Sequence, residues 1–112
     1  MLDLTTAFGN QTYEIKLFDG SVLHLQRPTQ GIQQTMLDLA PVVKDSKKAA
    51  KAIPTIIKVF VDILNRNAEG KTFEVKDVTA DYSFEVVMYV INDYFQFWNK
   101  EIAERVNFLQ AQ

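Results

Sequence analysis

The sequence contains no cysteine and only one histidine, His24. The absence of cysteine excludes disulfides, thiolate nucleophiles and cysteine-ligated zinc or iron–sulfur sites. One histidine without a dense carboxylate cluster gives no ligand set for a metal. The four glycines are never adjacent and form no phosphate-binding loop. No serine lies in a nucleophile-elbow motif, and no second histidine is present to act as a base. We therefore expect a protein that is not an enzyme and has no cofactor.

An excess of charge of one sign and a long apolar run are also lacking. Twelve basic residues against fourteen acidic ones give a net charge of −2, which provides no general attraction to nucleic acid. The longest mainly apolar stretch, 84–98, contains four polar interruptions and is shorter than the roughly 20 apolar residues that span a bilayer. The first four residues lack the cationic and apolar character of a secretory signal. We expect no nucleic-acid partner, no membrane partner and a cytoplasmic location.

The rest of the composition is typical of a folded protein. The chain has 112 residues, of which 47% are hydrophobic and 12% aromatic. A chain of this length forms one domain with a single modest core. The prediction is a single domain covering 1–112.

Residues 12–26 predict a β-hairpin, because apolar and polar residues alternate on both sides of an Asp-Gly pair. A two-residue loop would place Ile15 opposite His24 and mix the two faces of the hairpin. A three-residue loop at 18–20, with glycine in the left-handed conformation, instead gives one wholly apolar face. In that register the apolar pairs are Tyr13–Leu25 and Ile15–Leu23.

Beyond Pro28 the spacing of apolar residues becomes helical. It predicts helices at about 29–40, 42–53, 54–67 and 80–109. Thr29 is the predicted cap of the first helix, and Pro54 is expected to begin or sharply kink a helix.

The segment 72–78 fits either a short strand or an ordered loop, and Thr79 or Asp81 is the predicted cap of the final helix. At 1.5 Å per residue this helix would be about 45 Å long. The predicted fold is α+β, with an N-terminal β-hairpin packed on a mainly helical body and a long C-terminal helix.

The final helix carries a heptad-like apolar stripe. The stripe consists of Phe84, Met88, Ile91, Phe95, Trp98 and Ile102. Four large aromatic residues between 94 and 98 widen it to roughly 160° of the helix circumference. Such an arc fits a central helix covered on two sides, or a helix that presents part of its surface to another subunit or partner. Phe95 and Trp98 lie on the stripe and are the expected core members. The interface candidates are Tyr94, Phe97 and Trp98.

Two charged features have simpler interpretations. The lysines at i, i+3, i+4 and i+7 share one predicted helical face that could contact an acidic partner or nucleic acid, although such a face is usually solvated. These lysines are Lys44, Lys47, Lys48 and Lys51. In the preferred hairpin register His24 lies opposite Glu14, which predicts a solvated cross-strand pair.

The order of these segments resembles a known family. The stretches DLTTAFGNQTYEIKLFDGSVLHLQRPTQ, IQQTMLDL and FEVVMYVINDYFQFW are similar to the tail assembly chaperones of long-tailed bacteriophages and prophages of Gram-positive bacteria. The similarity runs over nearly the whole chain and rests on layout, length and general texture.

The resemblance implies a non-enzymatic protein of the host cytoplasm that is absent from the finished virion. Such proteins oligomerise, coat the long helical tape measure protein and help to recruit the tail tube protein. In the family a longer product is often made by a translational frameshift. The alternative interpretation is a small non-enzymatic interaction or adapter domain of a bacterial or prophage regulatory system.

Overall fold

The computed structural model describes residues 1–4, 11–44 and 46–110, with side chains described for 1–4, 11–39 and 50–100. Within these residues the chain forms an antiparallel β-hairpin followed by four helices. The strands are β1, Tyr13–Lys16, and β2, Val22–Leu25. The helices are α1, Gln30–Lys44; α2, Ser46–Leu64; α3, Val75–Asp81; and α4, Phe84–Gln110. The α+β prediction is confirmed.

The hairpin has the predicted register. Tyr13 pairs with Leu25 and Ile15 with Leu23, so the loop has three residues. Gly20 has φ of 90°, a left-handed conformation that a residue with a Cβ rarely adopts. The backbone N–H of Gly20 donates to the Leu17 carbonyl at 2.9 Å and closes the turn. The matched apolar faces therefore predicted the loop correctly.

The outer edge of β2 is paired with the segment that follows α2. Leu25 forms an isolated antiparallel bridge with Asn67, and the Ala68 N–H donates to the His24 carbonyl at 2.9 Å. Asn65 holds this segment in place, since its side chain bonds in both directions to the backbone of Phe73, at 3.0 and 2.7 Å. The hairpin is thereby attached to the helical body along one edge.

The predicted helix boundaries at the prolines are wrong. Helix α1 continues through position 41, and α2 contains Pro54 in its interior. An interior proline removes a backbone hydrogen bond. The side chain of Pro54 is exposed, whereas Ala52 and Ile56 on either side belong to one buried face. Burial of that face offsets the cost of the missing bond.

At the start of α1 the predicted cap is confirmed, because the Thr29 Oγ1 accepts the Ile32 N–H at 3.2 Å.

The predicted final helix begins too early, because α3 ends at Asp81 and α4 begins at Phe84. The prediction of a strand or loop over 72–78 is wrong for its second half, because α3 begins at Val75. The Asp77 carboxylate accepts the Glu74 N–H at 2.9 Å at the start of this helix. Tyr82 then has an extended backbone, with φ −125° and ψ 136°. The Ser83 hydroxyl accepts the Val86 N–H at 3.3 Å, so Ser83 and neither Thr79 nor Asp81 caps the long helix.

The described buried side chains form one cluster between the hairpin, α2 and α4. Its largest fully buried members are Trp98, Tyr94, Phe60, Leu23, Leu25, Ile56, Ile63, Leu64 and Ile91. Helix α1 packs on α2, with Ile32, Met36 and Leu39 partly buried against the cluster. One face of α4 thus lies in the core between Val87 and Trp98.

Candidate functional site

Two of the three predicted interface residues lie inside the protein. Tyr94 and Trp98 are 0% and 1% exposed. The Tyr94 hydroxyl donates to the Gln26 carbonyl at 2.6 Å, and the Arg27 guanidinium lies 5.1 Å from the centre of the Trp98 ring. Burial raises the pKa of Tyr94 well above its ordinary value. The prediction of Tyr94 and Trp98 as interface residues is wrong, whereas that of Trp98 as a core member is confirmed. The hairpin covers a second sector of α4, which the helix pattern alone did not reveal.

Phe97 and Phe95 are half-buried. The ring of Phe97 makes edge contacts with Tyr13 and Trp98, at centroid distances of 5.5 and 4.9 Å. Phe95 packs against Tyr94 at 5.3 Å, in agreement with its expected place at the core. Phe97 keeps part of its ring accessible and therefore remains an interface candidate.

The first turns of α4 are separated from the hairpin by an apolar groove of about 390 Å³. Strand β1 and the hairpin loop form one wall, α4 forms the other, and the fully buried ring of Phe60 lies beneath them. Tyr13 also lines the groove, and its hydroxyl donates to the Asp93 carboxylate at 2.6 Å. Its volume lies within the range of sites that bind small ligands or partner side chains.

The groove is bordered by aromatic side chains exposed to solvent. Phe18 in the hairpin loop is 77% exposed and Tyr89 on α4 is 76% exposed. The Tyr82 ring is half-buried, with its centre 5.7 Å from that of Phe18 and 5.6 Å from that of Phe60. Exposed aromatic rings around a concave apolar surface are typical of a protein-binding site. We name the groove and these three rings, Phe18, Tyr82 and Tyr89, the β1–α4 groove.

The sequence does contain a sign that Phe18 has a role beyond the hairpin turn. Phe18 lies in a tight loop, where most residues are polar, and an aromatic side chain there has no local partner. Tyr89 lies off the heptad-like stripe, and Tyr82 was expected inside a continuous helix. Their convergence depends on the break between α3 and α4, which the sequence did not predict.

Carboxylates line the groove and a depression beside it. An adjoining depression is lined by Phe18, Asp19, Asp81 and Tyr82, while Glu85 and Lys16 line the groove itself. The Asp19 carboxylate accepts the Ser21 hydroxyl at 2.6 Å and the Ser21 N–H at 2.9 Å, and these bonds lower the pKa of Asp19. Burial raises the pKa of Tyr82, and the nearby carboxylates of Asp19 and Asp81 add to this effect.

His24 lies away from the groove, between two carboxylates. It is opposite Glu14 as predicted, with its Nε2 3.4 Å from a Glu14 oxygen. Its Nδ1 is closer to Glu69, at 2.7 Å, and the His24 backbone N–H also donates to Glu69 at 2.8 Å. The side-chain hydrogen bond with Glu69 raises the pKa of His24. The backbone and side-chain hydrogen bonds from His24 lower the pKa of Glu69. These contacts attach the segment after α2 to β2.

The predicted lysine face is divided between two helices. Lys44 belongs to the end of α1, whereas Lys47, Lys48 and Lys51 belong to α2. Lys51 is exposed, and the side chains of the other three lie outside the described residues. The prediction of one continuous lysine face is therefore wrong for Lys44, which lies on a different helix from the other three.

The part of the chain that the structure describes contains no group of three or more acidic or histidine side chains able to hold a metal ion. In the same part of the chain, no helix has the length and apolar character needed to cross a membrane.

No protein-family model matches the sequence, and no significant match was found among curated proteins or solved structures.

Proposed function

We propose that the chain is a tail assembly chaperone of a long-tailed bacteriophage or prophage. In this role it is non-enzymatic, self-associates in the host cytoplasm, and binds the tape measure protein during tail assembly, with the tail tube protein as a second candidate partner. The proposal joins the sequence resemblance to one observation, the β1–α4 groove with its exposed rings of Phe18 and Tyr89.

The groove suits a partner that is itself apolar and helical. Exposed apolar surface on an unassembled helix favours aggregation, and covering that surface removes it from water. An amphipathic helix inserts its apolar side chains into such a groove at positions i, i+3, i+4 and i+7. Aromatic side chains are frequent among the residues that contribute most to such contacts.

The size of the groove explains why many copies would be needed. The α4 residues that line it extend from Glu85 to Val90, which at 1.5 Å per residue is about 8 Å. One copy therefore contacts only about one or two turns of a partner helix. Coating a long segment requires several copies, and linked copies bind more tightly than isolated ones.

Self-association is the part of the proposal that involves Phe97. Its half-buried ring contacts Tyr13 and Trp98, and its accessible part is available to a second copy. We expect Phe97→Glu to lower the mean mass measured by sedimentation while circular dichroism still reports a folded protein. A wild type that is monomeric at high concentration would contradict this part, and an unfolded variant would place Phe97 in the core.

Co-purification with the tape measure protein tests the proposal directly. We expect a tape measure fragment encoded near this gene to be retained by the wild type and by Gln96→Glu. Gln96 is exposed on α4 outside the groove, so Gln96→Glu is the matched control for charge. Tyr89→Glu should lose most of the fragment, because it places a charge at an apolar contact. Equal retention by all three proteins would contradict the assignment of the groove.

The position of the gene provides an independent check. A tail assembly chaperone gene is expected between the genes of the tail tube and tape measure proteins, with a slippery site near its stop codon. A position beside a regulatory gene would favour the adapter interpretation.

A further inference from the structure

We propose that the partner segment carries a lysine or arginine, and that its cationic group binds in the depression beside the groove, between Phe18, Asp19, Asp81 and Tyr82. This inference rests on the proposed function, since it assigns a chemical requirement to the segment that the groove binds. We call these four residues the acidic corner.

The acidic corner combines two kinds of group that attract a cation. The rings of Phe18 and Tyr82 lie 5.7 Å apart with an angle of 34° between their planes. They line one depression together with the carboxylates of Asp19 and Asp81. An aromatic face attracts a cation through its quadrupole, and a carboxylate attracts it through its charge. A lysine or arginine side chain can satisfy both contacts while its aliphatic part lies on a ring.

The negative charge of this region has few partners within the protein. The side chains of Asp81 and Glu85 make no hydrogen bond or ion pair with any other described residue. The Asp19 carboxylate uses a single oxygen, Oδ1, in its side-chain hydrogen bonds. The charge of Lys71 attracts this carboxylate, but the two groups form no ion pair. Lys16 lines the groove, yet it forms no ion pair with these carboxylates within the described chain. Three carboxylates and one ammonium group therefore line the two depressions, which are complementary to a positive partner.

The groove and the acidic corner are close enough to be occupied by one helix. Both depressions are lined by Phe18 and Tyr82, so they adjoin directly. Residues three or four positions apart on a helix have their Cβ atoms about 5–6 Å apart. An apolar side chain in the groove can therefore be followed, three or four positions later, by a cation in the acidic corner. An acidic segment or an anionic lipid surface would be repelled.

The test compares three synthetic amphipathic helical peptides. Each has the same leucine positions for the groove, and one position at i+4 carries lysine, glutamine or glutamate. Binding to the full chain is measured by fluorescence anisotropy. We expect the lysine peptide to bind about three- to tenfold more tightly than the glutamine peptide, as partly exposed ion pairs and cation–π contacts allow. The glutamate peptide should bind most weakly.

Two protein variants separate charge recognition from apolar binding. Asp81→Asn should remove most of the preference for lysine and leave the affinity for the glutamine peptide unchanged. Asp62→Asn is the matched control, because Asp62 is exposed on α2 and does not line the groove. That variant should bind all three peptides as the wild type does.

The possible failures are distinguishable. Equal affinities for the lysine and glutamine peptides would contradict cation binding at the acidic corner and leave the proposed function intact. Cation binding there is also contradicted if Asp81→Asn lowers the affinity for both peptides equally. If no peptide binds, both proposals fail. If the unliganded chain forms oligomers that Asp81→Asn dissociates, the corner binds a second copy and the inference is overturned.

Discussion

Two consecutive segments of α4, which we call its first half (84–90) and its second half (91–98), have the same kind of sequence and opposite surroundings. Both halves, 84–90 and 91–98, contain large aromatic side chains, yet Tyr94 is 0% exposed and Tyr89 is 76% exposed. In the second half the hairpin reaches the helix, with the Tyr13 ring 5.4 Å from Tyr94. In the first half the hairpin and helix enclose the β1–α4 groove. The neighbouring strand, and not the helix pattern, therefore decides which aromatic residues are available for binding.

The largest expected effect comes from replacing one tyrosine by alanine in each half and comparing the free energies of unfolding. Tyr94→Ala should lower the free energy of unfolding by about 3–5 kcal/mol, since it removes a fully buried aromatic ring and leaves a cavity. Tyr89→Ala should change it by less than about 0.5 kcal/mol, because that side chain is exposed. Urea denaturation followed by circular dichroism measures both values. Similar losses in the two variants would contradict the difference in burial.

A smaller test concerns the hydrogen bonds that attach the hairpin to the second half of α4. Tyr94→Phe removes the hydroxyl that donates to the Gln26 carbonyl and should cost about 0.5–1.5 kcal/mol. Tyr13→Phe removes the bond to Asp93, which is accessible to solvent, and should cost less. Tyr13→Phe alters a side chain that lines the groove, whereas Tyr94 does not line it. Its effect on peptide binding should therefore exceed that of Tyr94→Phe, and the reverse order would contradict this placement of the groove.

The smallest expected effect concerns pH and the attachment of the hairpin to the segment after α2. The pKa of His24 is raised above 6.5 by its bond to Glu69, so its stabilising contribution is complete below pH 6.5 and is lost as pH rises through the raised pKa. Glu69 has the opposite dependence, losing its contribution as pH falls below 4.5 toward its lowered pKa. The urea midpoint should be higher at pH 5.5 than at pH 8.5.

His24→Gln is the control for this pH dependence. The variant should show a smaller difference between the two midpoints than the wild type. An equal difference in both proteins would assign the dependence to other groups.

The hairpin could be predicted in detail because its information is local. Alternating residues and the Asp-Gly pair determined both the loop length and the pairing of Ile15 with Leu23. Thr29 was likewise recognised as a cap from its position before a helical pattern. The fold class followed from these elements.

The helix boundaries and the candidate site depended on contacts between distant segments. Pro54 was expected to begin or sharply kink a helix, but α2 extends on both sides of it, and the same face is buried before and after the proline. Tyr94 was assigned to an interface because its helix could not show that the hairpin covers it. The groove residues Phe18 and Tyr89 are 71 positions apart in the sequence and meet only through the tertiary fold.

Site-specific photo-crosslinking tests most directly whether the first half of α4 is the binding surface. A photoreactive phenylalanine analogue would replace Tyr89 in one variant and Gln96 in another, and each protein would be irradiated with a tape measure fragment. We expect a strong crosslinked product from position 89 and little from position 96, with the reacted fragment residue lying in an apolar helical segment. A product from position 96 alone, or none from either position, would contradict the account.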